Sequence, residues 1–229
     1  PRGTGTQKRK HIMERRSALK NMGLAFGYAV ATPTLLSLLQ SCKDKPAYAE
    51  WVPGFLSKEQ GQALARTVDV ILPKTDTPSA TEVNVHAFID AYLDEVMPLE
   101  QRDYVMMKME RFYAKVLEDS GKENLSEVEA GDIEPVLATY LRKRTEEEEE
   151  LHMEAVMNYM QAVMEGGEAT LDDEVARFTF ANELRDLATW AYKSSEYVGE
   201  EVLAYLPIPG EYIACGDLDT LTGGKAWSE

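Results

Sequence analysis

Apolar residues recur every three or four positions along most of this chain, the spacing that places them on one face of an α-helix. The first run follows a capping-box sequence at Ser57 and Gln60 and stops before Pro73. No stretch of convincing length alternates apolar and polar residues as a half-buried strand does, and no internal repeat occurs. The pattern therefore predicts an all-α domain, built as a single irregular helical bundle.

Five further runs predict the remaining helices. A short helix is expected over residues 132–144, with Pro135 in its first turn, where a missing N–H costs nothing. Longer helices are expected over residues 147–164 and 171–195. Two other runs have the expected core-facing residues Val85, Ile89, Tyr92 and Val96, and Val105, Met109, Phe112 and Val116. In the last helix the expected core-facing residues are Val175, Phe178, Leu184, Leu187 and Ala191.

The beginning of the chain reads as an export leader. Its arginine pair and the leucine and lysine that follow resemble the bacterial twin-arginine pattern, and residues 21–40 carry no charge. Residues 39–42, LQSC, resemble a lipobox, which predicts cleavage before Cys42 and a lipid on that cysteine. A retained membrane helix is the competing interpretation, although glycine, proline and threonine dilute the apolar content of the stretch. The expected export signal consists of Arg15, Arg16, Leu19 and Lys20.

The leader divides the chain into four parts. Residues 1–12 precede a candidate initiator, Met13, and are interpreted as an over-extended start or a cloning remnant. Residues 13–41 form the leader, residues 42–50 a polar tether and residues 51–229 the helical domain. A mature chain of this length is typical of one domain with a sizeable core.

The helical domain is strongly acidic. The first 41 residues hold seven of the 24 basic residues and one of the 40 acidic residues, so 17 basic and 39 acidic residues remain, a net charge of −22. Such a field repels nucleic acid and anionic membrane surfaces, and no nucleic acid is an expected partner. The charge indicates either a well-solvated surface or a basic protein partner.

The two cysteines have different expected fates. If Cys42 carries a lipid, Cys215 has no partner within the chain, and an intramolecular disulfide is excluded. Cys215 is then either a buried free thiol or a residue that pairs with another subunit.

Two proline-rich segments interrupt the helices. Residues 72–80, LPKTDTPSA, predict a rigid turn in which Asp76 and the threonines bond to nearby backbone N–H groups. Residues 204–212, AYLPIPGEY, predict an extended arm with aromatic side chains. An arm of this kind lies either across a neighbouring surface or on the chain's own helices.

The sequence lacks the usual motifs for redox or hydrolytic chemistry. It has no G-x-G-x-x-G after a strand, no C-x-x-C-H and no G-x-S-x-G. Glu149 and His152 form one E-x-x-H, but a di-iron carboxylate site needs a second such motif and two more glutamates. The half motif therefore predicts a solvated helix face. We expect no cofactor, no metal ion and no catalytic residue in this chain.

His86 and the methionines carry weaker signals. His86 has no glutamate three residues before it and is expected to be a surface or interface residue rather than a base. Methionines at helical spacing are typical of core packing or of an adaptable contact surface, more than of haem or copper ligation. The long helix carries a row of Met153, Met157, Met160 and Met164 beside a row of Leu151, Ala155, Tyr159 and Val163.

Several of these segments together resemble one family, the small subunit (subunit 3 or gamma) of membrane-bound gluconate 2-dehydrogenase and related flavoprotein sugar dehydrogenases. The most specific part is L-P-x-T-D-T-P at residues 72–78. The resemblance covers nearly the whole mature chain and runs from the leader through residues 33–36, 55–60, 71–80, 88–90 and 205–212.

The resemblance implies a non-catalytic partner of a larger flavoprotein of the glucose-methanol-choline oxidoreductase type, which carries FAD and oxidises a sugar, a sugar acid or a glycoside. In several such complexes a cytochrome c subunit with haem c takes the electrons onward. The small chain would supply the twin-arginine leader for a large subunit that has none and that folds around FAD before export. In the plainest family pattern a cytochrome anchors the complex, whereas the lipobox predicts a lipid anchor here.

These implications place the chain in the bacterial cell envelope, lipid-anchored to a membrane and facing the periplasm or the cell exterior. The competing functions are an enzyme in its own right and a stand-alone lipid-anchored helical binding protein. The residues expected to contact the partner are Pro73, Thr75, Asp76, Thr77, Pro78, His86, Phe88, Tyr205, Pro207, Pro209, Gly210 and Tyr212.

Overall fold

Helices make up most of the residues that the computed structural model describes, which are 46, 48–166, 169–206, 208, 210, 213 and 215–228. The helices are α1 (Lys58–Ile71), α2 (Val85–Ala91), α3 (Leu99–Ser120), α4 (Ala130–Tyr140), α5 (Glu146–Met164), α6 (Asp173–Lys193) and α7 (Leu218–Thr222). Within the described ranges there is no strand, only an isolated bridge between Ala204 and Trp227. The predicted all-α fold is confirmed.

Helix α1 begins and ends where the sequence predicts. The Ser57 hydroxyl accepts the N–H of Gln60 at 3.2 Å, and the Gln60 side chain accepts the N–H of Ser57 at 3.0 Å. This capping box supplies partners for N–H groups that a helix start leaves unpaired. The buried face of α1 includes Leu64 and Val68 and packs against α2, α4 and α6.

Helix α2 continues into a π-helical turn, Tyr92–Val96, which the sequence does not signal. Its wider hydrogen bond runs from the N–H of Met97 to the carbonyl oxygen of Tyr92 at 3.0 Å. A π turn holds more residues than an α turn and so shifts which side chains face the core. The predicted inward position of Val96 is therefore wrong: Val96 is 62% exposed, and Leu93 is buried instead.

Helices α3 and α6 form the centre of the bundle and run antiparallel. Lys108 of α3 contacts Glu183 of α6, whereas Arg111, one turn further along α3, contacts the carbonyl oxygen of Leu171 before α6 begins. The rings of Phe112 and Phe180 meet between the two helices, with their centroids 5.2 Å apart. The inner faces of both helices are buried as predicted, with Val105, Phe178 and Leu187 only partly buried at the edge of the core.

The boundaries of α4 differ from the prediction. The side chain of Asp132 accepts the N–H of Glu129 at 2.7 Å and starts the helix at Ala130, so Pro135 lies in its second turn. The helix ends at Tyr140 instead of residue 144, because Thr145 caps the next helix, α5. None of the helices in the described ranges is long and apolar enough to cross a membrane.

Candidate partner interface

Residues 72–80 form a closed turn between α1 and α2. The N–H of Ala80 donates to the carbonyl oxygen of Leu72 at 3.0 Å and so joins the two ends. At the tip, the N–H of Thr75 donates to the carbonyl oxygen of Thr77 at 3.0 Å, and the N–H of Thr77 donates to the Thr75 hydroxyl at 3.4 Å. The predicted bond to a backbone N–H is confirmed for Thr75, whereas the hydroxyl of Thr77 contacts that of Thr75 at 3.2 Å.

Carboxylates hold the turn, but Asp76 is not one of them. Asp69 of α1 accepts the N–H and the hydroxyl of Thr81 at 2.9 and 2.7 Å. Glu82 accepts the N–H of Ser79 at 2.9 Å. Asp76 is exposed at the tip, and the N–H groups of Thr75, Thr77 and Ser79 donate to other acceptors, so the backbone bond predicted for it is wrong.

The turn is also fastened to α6, through the hydroxyl of Tyr192, which donates to the carbonyl oxygen of Pro78 at 2.8 Å. Thr77 and Pro78 are half-buried by this attachment. Pro73, Thr75 and Asp76 remain exposed. The predicted contact residues of the turn therefore form a rigid, accessible edge.

Phe88 belongs to an aromatic cluster on the outer side of α2 and α6. Its ring centroid lies 5.2 Å from that of Trp190 and 6.1 Å from that of Tyr92. Phe88 is 39% exposed and Trp190 is 48% exposed. Large aromatic side chains that stay this accessible are typical of protein interfaces.

An acidic groove of about 400 Å³ separates the 3-10 turn Thr81–Val83 from the chain that follows α6. Four of its eight lining residues are glutamates and none is basic; Glu82 already pairs with Lys74, which leaves Glu196, Glu200 and Glu201 to give the groove its acidic character. The lining residues are Glu82, Val83, Asn84, Ser195, Glu196, Tyr197, Glu200 and Glu201. The groove is thus suited to a basic segment of a partner.

The arm leaves the domain directly after the π-helical turn Val198–Val202, which lines the acidic groove. Ala204 is held by the C-terminal end of the chain: its N–H donates to the carbonyl oxygen of Ala226 at 2.8 Å. Beyond Ala204, Tyr205, Leu206 and Ile208 are 51%, 52% and 81% exposed, and Gly210 is exposed as well. These described residues do not bury themselves on the helices.

The structure thus brings three predicted elements to one surface: the proline-rich turn, Phe88 and the base of the arm. We call it the turn-and-arm surface and define it as residues 73–78, Phe88, Trp190 and residues 196–206. Pro207, Pro209 and Tyr212 of the arm lie outside the described residues, as do Arg15, Arg16, Leu19, Lys20 and Cys42 of the leader.

His86 does not belong to this surface. It is 2% exposed and lies under the rings of Trp51 and Tyr48, whose centroids are 4.7 and 6.3 Å away. Burial lowers the pKa of His86, and the charges of Asp69 and Asp90 partly oppose that shift. The predicted surface position is wrong, because the segment before α1 folds over α2.

His152 of the E-x-x-H sequence is half-buried between α5 and α6, and not on the solvated face that was predicted. Its ring lies 4.7 Å from that of Phe178 and contacts the guanidinium of Arg144. Burial and the charge of Arg144 lower the pKa of His152. In the part of the chain that the structure describes, no three His, Cys, Asp or Glu side chains are arranged to hold a metal ion.

Cys215 is an exposed free thiol, so the expectation of a buried thiol is wrong. It follows the arm and lies outside the packed helices, where no apolar layer covers it. Pairing with another subunit stays a prediction.

Two residues were missed from the sequence: Trp190, which belongs to the turn-and-arm surface, and Asp90, which holds the segment before α1. Trp190 lies next to the inward row of α6 without belonging to it. A large aromatic residue outside the inward row was the signal in the sequence. Asp90 is 4% exposed, although it is acidic; its position next to the inward Ile89 was the signal. Both are placed by contacts between distant parts of the chain.

Comparison with protein-family models gives one match, to Gluconate 2-dehydrogenase subunit 3, over residues 58–210. The match extends from the first residue of α1 to the arm and so includes the turn and the aromatic cluster. No curated protein and no solved structure matches the chain. Because the family model covers well over half of its length, the chain belongs to the gluconate 2-dehydrogenase subunit 3 family.

Proposed function

We propose that this chain is the non-catalytic small subunit of a membrane-associated, FAD-dependent dehydrogenase complex. Family membership makes it a subunit, which implies partner subunits. The finer proposal is that it assists export, maturation and anchoring of a flavoprotein of the glucose-methanol-choline type that oxidises a sugar, a sugar acid or a glycoside. FAD belongs to that partner, and a cytochrome c subunit is the candidate for onward electron transfer.

The observation that best supports a large protein partner is the turn-and-arm surface. A rigid turn, exposed aromatic rings and an acidic groove lie together there, and the arm extends from the same place. Apolar anchors surrounded by charge are the usual composition of a specific interface. An arm with exposed tyrosine, leucine and isoleucine side chains is suited to lie across a neighbouring subunit.

The turn-and-arm surface is tested by co-producing the full chain with the flavoprotein encoded beside it. We expect Trp190→Glu to weaken the complex by at least about tenfold, because it places a charge among aromatic side chains that the partner would cover. The control is Glu123→Ala, an exposed change after the C-terminal end of α3, which lies at the opposite end of the antiparallel α3–α6 pair. Equal binding of both variants would exclude this surface.

Export and anchoring are tested separately through the leader. Replacement of both Arg15 and Arg16 by lysine is expected to leave the flavoprotein in the cytoplasm, since the twin-arginine route carries folded cargo. Cys42→Ala is expected to release an active complex from the membrane, because no lipid is attached. Normal export and activity of the flavoprotein without this chain would exclude the accessory role.

The two competing functions give different results in the same preparation. A stand-alone binding protein would purify as a monodisperse monomer with no flavoprotein. An enzyme in its own right would bring bound metal or flavin, which metal analysis and a visible spectrum of the isolated chain detect.

A further inference from the structure

Helix α5 presents a row of exposed methionines. Met153, Met157, Met160 and Met164 are 65%, 62%, 36% and 80% exposed. Their spacings of four, three and four residues return to the same side of an α-helix and give a stripe about 16 Å long. None of the 19 residues of α5, all of which the structure describes, is buried.

The stripe is not the side by which α5 packs on the domain. That side is formed by Ala155, Val156 and Tyr159, which pack against a small cluster around Leu171. The ring of Tyr159 stacks on that of Tyr104 of α3, with the centroids 5.3 Å apart. The methionines are therefore available as a second apolar side of the same helix.

A groove of about 470 Å³ borders the stripe, between α5 and α6. Met153, Val156 and Phe178 are its apolar lining residues. The other lining residues are polar or charged: Glu149, His152, Thr179, Asn182, Glu183, Arg185 and Asp186. We call the stripe the methionine surface and define it as Met153, Met157, Met160 and Met164; Met153 also forms one edge of this groove.

The charged residues of α5 indicate which kind of partner covers the methionine surface. Helix α5 contains six glutamates, residues 146–150 and 154, and no lysine or arginine. The nearby arginines are already paired: Arg142 with Glu148, and Arg185, which lines the groove, with Asp186. Glutamates in the first turn stabilise the helix N-terminus, but Glu150 and Glu154 lie beyond it. Two copies of α5 packed together would bring like charges into contact, which disfavours self-association. A partner with lysine or arginine beside its apolar residues is complementary.

We propose that the methionine surface docks an apolar segment of the partner subunit that is flanked by lysine or arginine. The inference rests on the proposed function and adds a second contact surface to the complex. Methionine suits this role because its flexible, polarisable side chain packs against irregular surfaces. Glu183, near the groove, and Trp190 of the turn-and-arm surface are about two turns apart on α6, so one partner can cover both surfaces.

Oxidation by hydrogen peroxide, read by mass spectrometry, tests the proposal on the intact complex. We expect Met153, Met157 and Met164 to oxidise at least about tenfold more slowly in the complex than in the free chain. Met109, which is 2% exposed, is the internal control and should oxidise slowly in both. Equal rates in complex and free chain would overturn the methionine surface alone. Failure of any complex to form would overturn the proposed function as well.

A matched pair of variants gives a second readout. Met157→Gln keeps the length of the side chain but makes it polar, and we expect about tenfold weaker binding. Asn158→Gln, the next residue and about 100° around the helix, should leave binding within about twofold. Binding should also weaken as NaCl is raised from about 0.1 to about 0.5 M. Unchanged binding by Met157→Gln, or tighter binding in high salt, would contradict the proposal.

Discussion

The carboxylate of Asp90 accepts the backbone N–H of Leu56 at 2.8 Å, although 34 residues separate the two in sequence. It also accepts the N–H of Gly54 at 2.6 Å and that of Phe55 at 3.3 Å. Asp90 is 4% exposed, so water cannot readily replace it as the acceptor. One side chain of α2 thus holds the segment that leads into α1.

Asp90→Ala should destabilise the domain by about 3 kcal/mol, because it leaves several N–H groups without an acceptor. Asp90→Asn should cost less, since one oxygen of similar position remains. Urea denaturation at neutral pH measures both. The control is Asp94→Ala, whose side chain is half exposed in a loose ion pair with Arg102 at 3.4 Å. That control should change stability by less than about 0.5 kcal/mol, and a similar loss in both would contradict the role of Asp90.

Gly61 determines how closely the same segment approaches α1. A Cβ atom at Gly61 would lie 2.4 Å from Cγ of Pro53 and 2.9 Å from the ring of Trp51. Alanine normally stabilises a helix relative to glycine by about 1 kcal/mol. Here we expect Gly61→Ala to destabilise the protein and to displace Trp51 from His86, seen as a change in tryptophan fluorescence. A stabilised protein with unchanged fluorescence would contradict the close contact.

Buried His86 should make stability depend on pH. Its folded pKa lies below its usual value of 6.5, so as pH falls the unfolded chain takes up a proton before the folded chain does. The contribution of neutral His86 to stability is therefore present above about pH 6.5 and is lost as the pH falls below it. We expect a lower Tm at about pH 5.5 than at pH 7.5, and a smaller difference in His86→Leu.

His152 should also lower stability as the pH falls, since burial and the charge of Arg144 lower its pKa. The double variant His86→Leu/His152→Gln should therefore lose more of the pH dependence than either single variant. If His86→Leu retained the whole difference in Tm, His86 would not be its source.

Local signals explain which parts of the fold were predictable. The capping box of α1 lies within four consecutive residues, and Pro73 stops the helix, so sequence alone gives both ends. The π-helical turn after α2 has no such signal. It places Leu93 in the core and leaves Val96 exposed, and the prediction for Val96 failed for that reason.

The sequence indicated which residues belong to the candidate site, but not which side chains are buried. The turn and Phe88 carry distinctive residues, and the structure joins them with the base of the arm through Tyr192 and Trp190. His86 was misplaced because its cover comes from residues more than 30 positions earlier. The acidic groove was missed because its glutamates come from two distant segments that look ordinary in sequence.

Lys108 and Glu183 form an ion pair, and replacement of one partner should change the stability of the protein very differently from replacement of the other. Lys108 is fully buried and lies over the ring of Tyr104 at 3.9 Å, whereas the Glu183 side chain is 52% exposed. Burial lowers the pKa of Lys108, and the charge of Glu183 opposes that shift. The carboxylate therefore compensates an ammonium group that has little access to water.

Glu183→Gln should destabilise the protein by about 1–2 kcal/mol, a value reduced from that of a fully buried pair because the carboxylate is half solvated. Lys108→Met should be nearly neutral, since an apolar side chain fills the same space and Glu183 stays hydrated. Chemical denaturation of both single variants and the double variant, as a double-mutant cycle, measures the coupling. A larger loss in Lys108→Met than in Glu183→Gln would mean that the lysine charge itself stabilises the core, through its contact with the ring of Tyr104.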